Sequence, residues 1–212
     1  MGRGDSTRDA TLSHVAILLA PDDEGIAQAA DLLRRGGLVA FPTDTVYGIG
    51  CRVGDEAALT RLFEAKRRPA EKAVPIMVAS LDEVADLGFD TDRARDVAGR
   101  FWPGGLTLVL GDAARSQAFR APDHPIALAL ISAAGPLATS SANRSGEPET
   151  YEASDVLVAF ADTDLLDGVL DGRRVPGGVA SSVLDLTVEP PRLLREGPVS
   201  RAELERAIGT LD

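Results

Sequence analysis

The sequence predicts a single α/β domain, with a mixed parallel and antiparallel sheet flanked by helices. Three observations support this fold class. Helical and strand-like segments alternate along most of the 212 residues. No repeat, low-complexity linker or charge boundary divides the chain. Three strand-like segments follow one another near the end, which argues against a purely parallel sheet. We assign residues 1–13 to a disordered polar tail and residues 14–212 to the domain.

In the first half of the chain, capping and periodicity signals mark the elements. The first helix has acids in its first turn, arginines in its last turn and two glycines as a stop. The second helix has an apolar face. Ser80 and Glu83 predict a capping box for a third helix. In order, the sequence predicts a helix at 21–37, a strand at 38–42, a helix at 55–68, a strand at 73–79 and a helix after Ser80.

The second half of the chain gives more strands. The first predicted helix of this half is followed by Pro-Gly-Gly, which ends it. Asp123 marks the start of the next helix. Ser200 and Glu203 cap the last helix. The predicted helices are 91–102, 124–135, 151–162 and a segment after Ser200. The predicted strands are 106–112, 117–122, 136–141, 167–172, 180–188 and 191–196.

The composition excludes several classes of protein. The net charge of −11 and the 4% aromatic content argue against a protein that coats nucleic acid by charge or base stacking. A single cysteine, Cys51, rules out an internal disulfide framework and suggests a reduced, cytoplasmic setting. We expect neither a signal peptide nor a membrane span, because no apolar run is long enough.

Covalent and metal-based chemistries are poorly supported. His14, His124 and Cys51 cannot form a zinc-type cluster at their spacing, and we predict no metal site. Neither a G-x-S-x-G nor a G-x-x-x-x-G-K-[ST] motif occurs, and GIGCRVG at 48–54 has the wrong spacing for a dinucleotide fingerprint. Chemistry by positioning and charge neutralisation remains.

The stretch LFEAKRRPAEKAVP, residues 62–75, concentrates cations in an acidic chain. Lys66, Arg67, Arg68 and Lys72 lie within seven positions, and the two lysines are the only ones in the sequence. Lys66 and Arg68 are two residues apart beside a proline, so in an extended segment they would point the same way. A solvated helix end explains Arg67 well, but explains the Lys-x-Arg pair and Lys72 less well.

Further polar clusters lie at predicted strand ends. Each has an ordinary alternative, such as a capped turn, a surface ion pair or a polar loop. All of them offer cations or hydroxyl groups, so together they predict an anion-binding cradle with several compartments. The segments are FPTDTVYGIG at 41–50, FRAPDHP at 119–125, PLATSSANRSGEP at 136–148, GGVASSVLDL at 177–186 and RLLREG at 192–197.

Taken in order, these segments resemble the YrdC-like family, the L-threonylcarbamoyl-AMP synthases. The matching runs extend from Gly36 to Gly197 and include GGLVAFPTDTVYGIG, FEAKRRP, FWPGGLTLVL, PLATSSANRSGEP and PPRLLREG. The resemblance implies a twisted α/β sheet with a concave basic cavity. It also implies the single-domain form of the enzyme.

The resemblance implies a nucleotidyltransferase that joins L-threonine, bicarbonate and ATP and releases pyrophosphate. The product would pass to a tRNA threonylcarbamoyl-transferase complex that modifies an adenosine next to the anticodon. Carbamate and carboxylate bring about two negative charges and ATP about four, of which Mg²⁺ offsets two. About four charges would then be met by Lys66, Arg68, Lys72, Arg120 and Arg195.

The family pattern also implies individual roles. Lys66 and Arg68 would contact ATP phosphates and the carbamate, and Ser141 with Asn143 would span threonine and nucleotide. Further positions would divide between the two substrates. Thr45, Arg120 and Ser181 would bind threonine, and Arg68, Lys72, Asn143 and Arg195 would bind the nucleotide.

Three positions depart from the family pattern. Ser182 stands where threonine is usual, Gly105 where proline is usual, and Lys72 where many members have asparagine.

Two other functions stay open. A double-stranded RNA or tRNA-binding module could use the same basic concavity, and weak RNA binding stays open as well. A carbamoyl-transfer domain is the third alternative, although such domains usually occur in longer chains with zinc-finger segments.

Overall fold

The computed structural model describes residues 16–67, 74–112 and 114–212. The strands of these ranges are β1 Ile17–Leu19, β2 Val39–Pro42, β3 Tyr47–Arg52, β4 Ile76–Met77, β5 Leu106–Gly111, β6 Ser116–Arg120, β7 Leu137–Ser141, β8 Gly168–Leu170, β9 Ser182–Asp185 and β10 Arg192–Arg195. The helices are α1 Asp23–Arg34, α2 Glu56–Lys66, α3 Leu81–Asp86, α4 Arg95–Phe101, α5 Pro125–Ala134, α6 Ala153–Ala159 and α7 Arg201–Ile208, with a 3₁₀ turn at Asp92–Ala94.

The strands form one mixed sheet, as the sequence predicts. Their order is β1-β8-β2-β3-β7-β4-β6-β5-β9-β10. The pairs β1–β8, β2–β8, β4–β6 and β5–β9 are parallel, and the other neighbours are antiparallel. Because β2 and β3 form a hairpin and β7 pairs with β3, the ends of β2 and β7 lie at one edge of the sheet.

Helices cover both faces of one half of the sheet. Val39 and Phe41 of β2 pack in one apolar cluster with residues of α1 and α5. Leu38 and Ala40, which point the other way, pack in a second cluster with residues of α2 and α6. A third cluster joins Phe119 of β6 to residues of α4 and α7 at the other half. The polar strand ends therefore project from a buried apolar frame.

Several sequence predictions of local structure are wrong in detail. The sequence predicts no strand at 47–52, where the structure has β3, because the glycines of this segment weaken the strand signal. Ser80 makes no side-chain cap, and Glu83 Oε2 instead accepts from Ala79 N at 2.7 Å. The cap of α5 is His124, one residue after Asp123. The capping box of Ser200 and Glu203 on α7 is confirmed.

Other predictions fall outside the described residues. The proposed tail at 1–13 and the side chains of His14, Arg68 and Lys72 belong to this group. Among the helices that the structure does describe, none is long and apolar enough to cross a membrane.

Candidate functional site

A cavity of about 240 Å³ is lined by residues of six strands, β3, β4, β5, β6, β7 and β10, and by residues that flank β2 and β9. Two arginines and many hydroxyl groups line it, together with a single carboxylate among the described residues. The lining residues are Thr43, Thr45, Val46, Gly48, Pro75, Met77, Thr107, Arg120, Thr139, Ser140, Ser141, Glu149, Gly178, Ala180, Ser181 and Arg195. Five residues singled out from the sequence thus share one cavity: Thr45, Arg120, Ser141, Ser181 and Arg195.

Arg120, the last residue of β6, forms a buried ion pair in the cavity wall. Its Nη2 donates to Asp44 Oδ2 at 2.6 Å and its Nε to the carbonyl of Gly104 at 3.0 Å. The side chains of Arg120 and Asp44 are 8% and 18% exposed. Burial lowers the pKa of the guanidinium, the charge of Asp44 opposes that shift, and the charge of Arg195 adds to it. Arg195 is therefore close enough to Arg120 to influence its pKa electrostatically.

A tight turn after β2 supplies one hydroxyl-rich wall. Thr43 Oγ1 donates to Val46 O at 2.6 Å and accepts from Thr45 N at 3.2 Å. Thr45 Oγ1 lies 3.2 Å from Thr43 Oγ1. Gly48, in β3, is closely packed beside this wall, since a Cβ atom there would lie only 3.1 Å from Thr139 Cγ2. The glycine therefore has a packing reason as well as a place in the cavity.

Ser181 and its neighbours form another part of the cavity wall. Its Oγ lies 2.8 Å from Thr107 Oγ1, and Arg195 Nη2 donates to it at 3.3 Å. Arg195 Nε also donates to the Ser181 carbonyl at 2.9 Å. The late arginine and the serine, which come from β10 and from the residue before β9, are thus held together.

Ser182 points away from this cavity. It is fully buried, donates to Val199 O at 2.6 Å, and accepts from Gly197 N at 2.8 Å and Val199 N at 3.1 Å. Ser182, which stands where threonine is usual, therefore makes contacts within the protein core and not with the cavity. Gly105 belongs to the same region, because a Cβ atom on it would lie 2.9 Å from Pro198 Cβ.

The neighbouring serines predict a contrast in stability. Replacing Ser182 by alanine leaves buried groups unpaired where water cannot enter, which is expected to lower the free energy of unfolding by about 2 kcal/mol. Replacing Ser181 by alanine is expected to cost less than about 1 kcal/mol, since cavity water can take its place. Urea unfolding of both variants measures the difference, and equal losses would contradict the assignment of Ser182 to the core.

Ser141, Asn143 and Lys66 form a connected group beside the cavity. Ser141 Oγ donates to Asn143 Oδ1 at 2.6 Å, and Asn143 Nδ2 donates to Glu147 O at 2.7 Å. Lys66 Nζ donates to the carbonyl of Ser141 and, at 2.5 Å, to that of Asn143. Of these three side chains, Ser141 lines the described cavity and the other two lie next to it.

The interpretation of the Lys-x-Arg pair assumes that Lys66 lies in an extended segment. In the structure, Lys66 lies in a helix instead. It is the last residue of α2, it is 2% exposed, and it is followed by Arg67 in the left-handed conformation with φ of 51°. Its ammonium group therefore approaches the end of β7 from a helix terminus. The parallel placement of Lys66 and Arg68 stays a prediction, because Arg68 lies outside the described residues.

Buried Arg144 holds the turn after β7 against two helix ends. Its guanidinium donates to the carbonyl of Ala65, to that of Ala159 at 3.1 Å, and to Asp162. The backbone N–H of Ser145 donates to Lys66 O at 3.0 Å. These contacts fix the spatial relation between Lys66 and the Ser141–Asn143 turn.

Several residues that line the cavity or contact its lining were not singled out from the sequence. Thr107 lies within the quoted run FWPGGLTLVL, but it is one alternating position of a strand. Asp44, which contacts Arg120 without lining the cavity, lies between Thr43 and Thr45, and no sequence signal pairs it with Arg120. Glu149 follows the hydroxyl-rich turn. In the described part of the chain, no group of three His, Cys, Asp or Glu side chains could hold a metal ion.

Comparison with known proteins identifies a matching family and similar chains. The Sua5/YciO/YrdC family model, described as telomere recombination, matches residues 31–197. A Bacillus subtilis protein named threonylcarbamoyl-AMP synthase is 40% identical over 206 residues, which are 91% of this chain and 59% of that protein. A Chromohalobacter salexigens protein of the same name is 39% identical over 169 residues, 73% of this chain and 90% of that protein.

The same architecture occurs in a solved relative. The structure of Pyrococcus abyssi Sua5 complexed with L-threonine matches with a TM-score of 0.82 at 38% identity, covering 93% of this chain and 62% of that chain. The present chain thus spans less than two thirds of the lengths of the B. subtilis and P. abyssi proteins. These names do not favour the alternative of an RNA-binding module.

Proposed function

Because the chain belongs to the Sua5/YciO/YrdC family, we propose that it is an ATP-dependent L-threonylcarbamoyl-AMP synthase, a nucleotidyltransferase. L-Threonine, bicarbonate and ATP are its substrates, and pyrophosphate is released. The observation that carries this proposal is the cavity that joins Arg120, Arg195 and a ring of hydroxyl groups. The threonine complex of the P. abyssi relative supports it.

The two arginines divide the cavity between the substrates. Arg120 is paired with Asp44 of the hydroxyl-rich turn that carries Thr45, and it receives the threonine carboxylate. Ser141 and Ser181 then surround the rest of the amino acid. Arg195, which is held by its hydrogen bonds to Ser181, serves the nucleotide, as the family pattern implies. Asn143, together with Arg68 and Lys72 from the cation-rich stretch, completes the nucleotide compartment.

The reaction needs no covalent enzyme intermediate. The threonine nitrogen bonds to the carbon of bicarbonate, a carbon–oxygen bond breaks and the oxygen leaves as water, which gives a carbamate. A carbamate oxygen then attacks the α-phosphorus of ATP. A new P–O bond forms as the bond between the α-phosphorus and the bridging oxygen breaks, and the electron pair leaves with pyrophosphate. The protein contributes by positioning the reactants and neutralising their charge.

The negative charges of the substrates are neutralised by five residues: Lys66, Arg68, Lys72, Arg120 and Arg195. Mg²⁺ arrives as part of the MgATP substrate and offsets about two of its negative charges. Lys66 acts from beneath the Ser141–Asn143 turn, where its ammonium group is held by two carbonyl oxygens. Its field is strong there because the group is nearly excluded from water.

The chemistry of the product implies that a transfer reaction follows its synthesis. Threonylcarbamoyl-AMP is a mixed anhydride that loses AMP readily, so an acceptor must receive it soon after release. We propose a tRNA threonylcarbamoyl-transferase complex as that partner and the cytoplasm as the compartment. The single, buried cysteine is compatible with a reducing environment, and burial raises the pKa of its thiol to about 12.

Amino-acid selectivity is a direct prediction of this cavity. Threonine differs from valine by a hydroxyl group and from serine by a methyl group. Loss of the hydroxyl removes the hydrogen bonds that it makes with the side chains of Thr45, Ser141 and Ser181, which costs more than a missing methyl worth about 1 kcal/mol. The expected order of activity is therefore threonine, then serine weakly, then valine hardly at all.

Product formation at equal amino-acid concentrations tests that order. The assay uses ATP and labelled bicarbonate and identifies the product, containing amino acid, carbamoyl carbon and AMP, by mass spectrometry. Reactions without amino acid and without ATP are the controls. If valine matched or exceeded serine, shape rather than the hydroxyl contacts would select the substrate.

A further inference from the structure

We infer that Asp44 is a positioning residue that holds the Arg120 guanidinium in the orientation needed to receive the substrate carboxylate. The inference rests on the proposed function, because it takes Arg120 as the group that binds threonine. Asp44 itself is absent from the cavity lining. It therefore acts through the arginine and not on the substrate.

The protein uses one edge of the guanidinium and leaves the other edge available. Nε donates to Gly104 O at 3.0 Å and Nη2 donates to Asp44 Oδ2 at 2.6 Å. Within the described part of the chain, Nη1 makes no hydrogen bond. Arginine has five N–H donors, so both hydrogens of Nη1 and the second hydrogen of Nη2 remain. These lie at the end of the fork and match the two oxygens of a carboxylate.

The turn that carries Asp44 is rigid. Thr43 Oγ1 donates to Val46 O and accepts from both Thr45 N and Val46 N, at 2.6, 3.2 and 3.3 Å. These bonds close around Asp44 and fix its backbone between β2 and β3. A side chain supported in this way restricts the freedom of its partner, which is what precise substrate binding needs.

The remaining oxygen of Asp44 is poorly satisfied. In the described part of the chain, Asp44 Oδ1 is buried without a hydrogen-bond partner, and His124 Nδ1 is buried in the same condition. Unpaired buried polar atoms lower stability. The ion pair is therefore not an arrangement optimised for stability alone. This favours a role for the carboxylate in orienting Arg120.

Asp44 also moderates the positive charge of the cavity. Arg120 and Arg195 both line it, and the charge of Arg195 disfavours the charge of Arg120. Asp44 keeps Arg120 charged in its buried place, while leaving a net attraction for a substrate carboxylate. Orientation and charge can be separated by experiment, since asparagine keeps the hydrogen-bond acceptor and leucine keeps only the size.

The experiment measures L-threonine binding to the full chain by titration calorimetry, with the Michaelis constants for threonine and ATP. Asp44→Asn is expected to bind threonine within about threefold of wild type, because the amide oxygen can accept from Nη2. Asp44→Leu is expected to bind threonine at least about tenfold more weakly, with the ATP constant unchanged within about twofold. If Asp44→Leu does not fold, Asp44→Ala takes its place.

A double-mutant cycle with Arg120→Ala tests whether Asp44 acts through the arginine. In that background Asp44→Leu should cause no further loss of threonine affinity, because the partner it positions is gone. A further loss of equal size would overturn the inference, as would normal threonine binding by Asp44→Leu, or losses by Asp44→Asn as large as those by Asp44→Leu. A wild-type protein without threonine-dependent pyrophosphate release would instead refute the proposed function.

Discussion

Replacement of Lys66 by methionine is expected to lower the rate of pyrophosphate release at least about a hundredfold. Methionine fills the volume of the lysine stem but provides neither charge nor donors. The carbonyl groups of Ser141 and Asn143 would lose their buried partner, and the phosphates would lose a nearby positive charge. Steady-state pyrophosphate release, together with the melting temperature, measures the two consequences separately.

Arg67→Ala is the matched control for this prediction. Arg67 is adjacent in sequence, but its side chain is 65% exposed and pairs with Asp162 at the surface. Such pairs contribute about 0–1 kcal/mol to stability, so activity should stay within about twofold of wild type. Near-normal activity of a folded Lys66→Met protein would remove Lys66 from the mechanism.

Arg120→Ala is expected to raise the threonine requirement about a hundredfold, with a much smaller effect on the ATP requirement. The loss corresponds to a partly desolvated carboxylate–arginine contact. Asp44 would also lose its partner, so some loss of stability is expected. Michaelis constants for both substrates, determined on the same folded preparation, provide the comparison.

Arg115→Ala provides the control for Arg120. This arginine precedes the same strand, is exposed, and stacks over Phe89 with its Cζ 4.1 Å from the ring centroid. Both Michaelis constants should be unaffected by its removal. A shift of the ATP constant in Arg120→Ala without a shift of the threonine constant would reverse the assignment of the two compartments.

The sequence predicts the mixed sheet and much of the cavity for a simple reason. Polar residues directly after buried apolar segments mark strand ends, and strand ends of one sheet gather in space. Arg120, Ser141 and Ser181 were found in this way, and the structure brings them to one cavity. Their individual roles stay predictions.

What the sequence could not supply depends on side-chain direction and on partners distant in the chain. Lys66 turns inward from a helix end, which the spacing of Lys-x-Arg does not reveal. Asp44 meets Arg120 across 76 positions. Ser181 and Ser182 are chemically identical neighbours, and strand alternation alone assigns one to the cavity and the other to the core.

Pyrophosphate release with MgATP and bicarbonate, in the presence and absence of L-threonine, tests the central claim most directly. The account predicts release that requires all three substrates and that yields one pyrophosphate for each threonylcarbamoyl-AMP formed. Release at the same rate without threonine, or no release with all substrates present and the protein folded, would contradict it.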